Sequence, residues 1–175
     1  MQQIILLIIN VIGGVAVIGS YIYGLLTHPD GANALWGNIS LSVRPVYMVS
    51  MVLAALGYFA FIYFIFFRLI PDEVNIAGRF SFSLFYIIFL VILIPSVLWM
   101  PLSQAYIDDP GAGLWVGIRI VLSLVGISSI VLVLVLFNLQ TKMTGISYWL
   151  AVAGSIYFAF HTAILDALLW PVLFK

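Results

Sequence analysis

Hydrophobic positions along this chain fall into long unbroken runs separated by short polar gaps. The runs cover about residues 4–26, 45–70, 80–102, 114–137 and 146–174. Each gap holds residues that break helices or prefer water: Thr27-His28-Pro29-Asp30-Gly31, Pro71-Asp72-Glu73, Asp108-Asp109-Pro110-Gly111 and Asn138-Leu139-Gln140-Thr141-Lys142. A bilayer core roughly 30 Å thick takes about 20 apolar residues per helix. Inside hydrocarbon every backbone N–H and C=O must be paired within the protein, so runs of this length predict helices. A β-barrel would show segments of about ten residues alternating in polarity. The pattern therefore predicts an all-α integral membrane bundle of five transmembrane helices, forming a single domain over residues 1–175. The first run has no basic leader and no small-residue cleavage site, so it reads as a retained helix rather than a signal peptide.

Composition agrees. Hydrophobic residues make up 65% of the chain and charged residues 7%, and the mean hydropathy is +1.27. Soluble domains average about 25% charged residues, which excludes a water-soluble globule. Zero net charge removes the basic surface that nucleic acid requires, and zero cysteines remove disulfides, thiolate metal sites and cysteine nucleophiles.

Five crossings place the termini on opposite sides. Side A, with the N-terminus, carries Arg68, Arg79 and Lys142, while side B carries Arg44 and Lys175. The positive-inside rule then predicts a cytoplasmic N-terminus. Polar and aromatic weight favours side B, where Trp36, Trp99, Trp115 and Trp170 map; Trp149 alone maps to side A.

Two charges lie deep in the spans. Arg119 stands 24 positions before a turn at about residue 143, and Asp166 stands 23 positions after it, so the two share a depth near side B. Buried charges seek partners, and Arg119–Asp166 is the expected pair, either pinning two helices or lining a polar-mouthed cavity. Trp115, Arg119 and Ser123 recur at i+4, as do Thr162, Asp166 and Trp170. His161 lies about 140° around its helix from Asp166. It is either a hydrogen-bonded packing residue or an axial ligand of a haem; His28, in a side-B loop, is too far from it to complete a bis-histidine site. Asp109 is expected to cap the start of the fourth helix. Pro95 and Pro101 are expected to bend the third helix near Trp99. The aromatic stretch Tyr58–Phe67 reads as lipid-facing bulk.

Three segments carry a resemblance. Arg44-Pro45-Val46-Tyr47 opens the second run, Ser96-Val97-Leu98-Trp99-Met100-Pro101 lies in the third, and Ser147-Tyr148 opens the fifth. With the five spans and the long first loop, they are similar to elements of the translocator protein family, also called tryptophan-rich sensory proteins. Departures include Ser96 for an asparagine, Ser147 for a proline, a missing proline pair, no tryptophan in the second run and no clear Leu-Asn element in the fifth. Arg119, His161 and Asp166 match no motif of that family. The resemblance implies a bundle, often dimeric, that binds porphyrins, sterols and synthetic aromatic ligands toward the first loop.

The expected function is binding of a hydrophobic or amphipathic ligand (tetrapyrrole, sterol-like or isoprenoid) in a side-B cavity. Trp99, Trp115 and Trp170 would form its walls, Arg119 and Asp166 its polar contacts, and Arg44 and Trp36 its mouth, with His161 one turn deeper and Tyr47 among the ligand-binding residues. No cofactor is assigned, a porphyrin or haem being a candidate ligand, and no catalytic or metal-binding set is assigned. Two alternatives stand beside it. One is an accessory subunit of a larger membrane complex, the other an intramembrane lipid isomerase or cyclase using His161 and Asp166 as acid and base. The expected partners are the bilayer, a hydrophobic small molecule and a second copy or a complex subunit.

Overall fold

The computed structural model describes residues 1–28, 31–140 and 145–174. Pro29, Asp30, Lys142, Lys175 and the turn near residue 143 lie outside the described residues. Five helices are long and apolar enough to cross a membrane: α1 (Gln2–Thr27), α2 (Arg44–Phe67), α3 (Leu84–Asp108), α4 (Ala112–Phe137) and α5 (Ile146–Phe174). No regular strand occurs among the described residues; Ile76 forms isolated bridges to Phe80 and Leu139. The protein is an all-α, multi-pass membrane bundle.

The ends of α2 and α3 differ from the hydropathy boundaries for local reasons. α2 stops at Phe67, and Gln3 of α1 donates to the carbonyl of Phe66, one of the acceptors a helix end leaves open, and to that of Leu69 just beyond it. α3 starts at Leu84 because the preceding residues form the bridge at Ile76. It then runs through Pro95 and Pro101 to Asp108, with Ser103 and Gln104 buried. Asp109 is the C-terminal cap of α3, and Gly111 is the N-terminal cap of α4. The expected cap by Asp109 is therefore corrected: the connection is too short to spare that residue for the second helix.

α3 packs between α1 and α4, and α5 packs between α4 and α2. Tyr58 of α2 closes the ring by donating to Asn10 of α1 at 2.6 Å. Glycines set the tightest crossing. A Cβ on Gly57 would lie 2.5 Å from the carbonyl oxygen of Gly154, so the backbones of α2 and α5 touch there.

The core has two parts. Toward side A, Leu6, Phe61, Phe64, Phe82, Phe85 and Phe89 pack together. Phe61 and Phe64 are fully buried, which corrects the reading of Tyr58–Phe67 as lipid-facing bulk; only one side of that stretch, including Phe59, Tyr63 and Phe67, is exposed. Toward side B lies a second, aromatic cluster around Tyr47, Ile118, Leu122 and Trp170.

Candidate functional site

The side-B pole gathers four of the tryptophans, Trp36, Trp99, Trp115 and Trp170, as their positions along the runs predict. The three expected to wall a cavity instead lie against one another. Trp170 meets Trp99 edge-on with ring centres 5.8 Å apart, and its centre lies 6.3 Å from that of Trp115 and 4.6 Å from that of Phe174. The first loop covers them. Trp170 Nε1 donates to Leu35 O at 3.0 Å, and Gly37, at φ +48°, passes so close to the Phe174 backbone that no side chain fits between. Arg44, expected at a mouth, lies over the Trp36 ring at 5.5 Å, and its Nε donates to Ile39 O. On α3, Trp99 Nε1, Ser103 Oγ and Gln104 Oε1 are buried without a hydrogen-bond partner among the described residues.

The expected Arg119–Asp166 pair is not formed. The buried stripe of α4 is Ile118, Leu122, Val125, Ser129, Leu132 and Leu136, spaced three and four apart. One residue beyond Ile118, Arg119 is turned about 100° away from that stripe. It lines an open furrow of about 380 Å³ with Val116, Ile120, Ser123, Leu124 and Ile127, all on the outer face of α4. Trp115 does not share that furrow; its ring stacks on Phe174. His28, the cap residue of α1, bonds Asp108 at the end of α3 at 3.2 Å.

Asp166 has another partner. From Phe160 to Leu169 the fifth span is a π-helix between two α-helical parts, Ile146–Ala159 and Trp170–Phe174. The Trp170 N–H reaches the carbonyl of Leu165, five residues back. A helix closed by i→i+5 bonds brings residues five apart close to one another. His161 and Asp166 are such a pair: His161 Nε2 lies 3.5 Å from Asp166 Oδ2. The 140° separation expected from α-helical geometry is removed by the wider turn.

The other ring nitrogen, Nδ1, lies 3.0 Å from Ser50 Oγ on α2, and the Tyr157 hydroxyl donates to that same Oγ at 3.2 Å. The Ser50 hydroxyl has a proton to give and two lone pairs, so it bonds Nδ1 in either tautomer of His161; in the tautomer with its proton on Nε2, Ser50 donates to Nδ1 and the imidazole N–H faces Asp166. Tyr157, Ser50, His161 and Asp166 thus form one polar chain, hydrogen-bonded from Tyr157 through Ser50 to His161 and closed by the 3.5 Å contact between His161 and Asp166. The phenols of Tyr21 and Tyr47 lie within electrostatic reach of the Asp166 carboxyl. Tyr47 also donates to Leu165 O at 3.2 Å, tying α2 to the π-helix.

Ser50 and Tyr157 form the floor of a second open furrow, of about 390 Å³, walled by Pro45, Val46, Val49, Phe160 and Leu165. Its origin is geometric. Ser50 and His161 each lie seven residues from the Gly57–Gly154 contact, toward side B, where α2 and α5 diverge. Ser50 was not singled out from the sequence. The signal that marks it is its place on the buried stripe Tyr47, Ser50, Ala54, Gly57, Phe61 and Phe64. A hydroxyl at 3% exposure on a membrane helix must find a partner there.

With both ring nitrogens of His161 engaged, the residues present do not fit axial ligation of a haem. No family model, curated protein or solved structure matches this chain.

Proposed function

We propose that this protein binds an amphipathic, lipid-like ligand from within the bilayer. The polar end of the ligand meets the Tyr157–Ser50–His161–Asp166 chain, and its apolar part lies along the furrow between α2 and α5. One observation carries this reading: a polar chain inside the bundle ends on the floor of an open furrow whose walls are apolar. An apolar furrow between two helices suits an isoprenoid or acyl chain. The N-terminus faces the cytoplasm in this reading, in keeping with Arg68 and Arg79 on its side of the bundle.

The test is native mass spectrometry of protein extracted from its membrane into lipid nanodiscs. Val49 is 60% exposed on the furrow wall, so Val49→Trp fills the furrow without disturbing the core. A retained lipid is expected in the wild type and lost in Val49→Trp at unchanged melting temperature. A wild type carrying only bulk lipid, or a variant that retains the ligand, overturns the reading.

A second reading, an accessory subunit in a membrane complex, draws on Arg119. Its guanidinium faces outward within a span and has no ion pair among the described residues. A partner helix supplying a carboxylate would complete it. Isolation from the native membrane only as a fixed-stoichiometry component, lost on Arg119→Leu, would favour this account.

A further inference from the structure

Ser50, His161 and Asp166 stand in the relation of nucleophile, base and orienting group. The nucleophile and the base are within hydrogen-bond reach, and the far nitrogen of the base faces a carboxylate at 3.5 Å. Such constellations recur on unrelated folds and are recognised by geometry and role rather than by chain position. We propose that Ser50 is the nucleophile of an acyl-transfer or hydrolase activity toward an ester-bearing membrane lipid, with His161 as general base and Asp166 as positioning residue. This rests on the reading that the furrow between α2 and α5 admits a lipid.

The step balances as follows. Ser50 Oγ gives its proton to His161 Nδ1 and forms a bond to the ester carbonyl carbon. The resulting oxyanion collapses and breaks the ester C–O bond, and the alcohol leaves with the proton returned from Nδ1. Water, or the hydroxyl of a second lipid, then gives its proton to Nδ1 and attacks the acyl-serine carbonyl; the Ser50 Oγ–C bond breaks, Oγ takes the proton back from Nδ1, and the acid or new ester leaves. Asp166 faces the imidazolium formed in each half. Its 3.5 Å distance is long for a charge-assisted bond and shortens once the ring is charged. The Tyr157 hydroxyl, 3.2 Å from Ser50 Oγ, is the donor placed to meet the oxyanion. Asp166 retains 32% side-chain exposure, so the far end of the chain is not sealed.

The full chain in lipid nanodiscs is treated with a long-chain alkyl fluorophosphonate, and adducts are mapped by peptide mass spectrometry. The expected result is an adduct on Ser50, with Ser123 of the other furrow unmodified as the internal control. His161→Gln slows labelling at least tenfold. Asp166→Asn slows it as well, and Asp166→Glu restores part of the rate, a recovery that a purely structural role would not produce. No adduct on wild-type Ser50, or labelling at an unchanged rate in His161→Gln, overturns the proposal. Lipid retention is read from the same nanodiscs. A retained lipid without an adduct overturns the chemistry and leaves the binding reading standing, whereas an adduct on Ser50 without a retained lipid overturns only the binding reading.

Discussion

A charged side chain within a span costs about 2.5–3.5 kcal/mol on insertion scales, and the two deep charges here meet that cost differently. Asp166 turns inward to an imidazole and is partly buried. Arg119 stays on the outer face, where its long apolar stem can lie along α4 while the head reaches toward the side-B interface. The two therefore act independently on stability. Unfolding of Arg119→Gln, Asp166→Asn and the double variant in mixed micelles should be additive within about 0.5 kcal/mol. A coupling energy of about 1 kcal/mol or more would mean that the two groups do meet. That both charges lie within the apolar runs was legible in the sequence. Their directions were not, because α4 is apolar on every side and hydropathy alone does not distinguish the face toward protein from the face toward lipid.

The five helices themselves follow from hydropathy, but two features of their interior do not. One is the π-helix at Phe160–Leu169, which turns a His-Asp spacing of five from divergent to facing. Nothing in the residue types of that segment announces the change of pitch, since both helix forms accept them. The other is the contact at Gly57. Small residues along the spans announce close packing somewhere, yet only the fold selects which of them bear it. Gly57→Ala places a methyl group against an unyielding backbone carbonyl and should destabilise by about 1–3 kcal/mol. Gly14→Ala has nothing within 4 Å of the new atom and should be neutral or stabilising by up to about 1 kcal/mol. Chemical unfolding of the two variants side by side checks the contrast; equal effects would place the tight crossing elsewhere.

At the scale of the molecule, the bundle has a phenylalanine-rich core toward side A and a tryptophan-rich plug toward side B. The natural absence of cysteine makes its topology directly testable. Ser42 lies between α1 and α2, and Ser81 lies between α2 and α3, and both are exposed. A membrane-impermeant maleimide applied to intact cells should modify Ser42→Cys and reach Ser81→Cys only after permeabilisation. Labelling of both from one side would overturn the five-crossing topology, and the reverse pattern would overturn the cytoplasmic N-terminus.

The chain by itself determined the number of crossings, their approximate ends and the concentration of tryptophan at one pole. These depend on transfer of each segment into hydrocarbon, which is a property of composition and length. The tertiary structure alone decided that Asp166 meets His161 rather than Arg119, that Ser50 joins them, and that the tryptophans fill their pole while α2 and α5 part beside it. These depend on helix pitch and rotation, which packing between helices selects among faces that lipid solvates equally well.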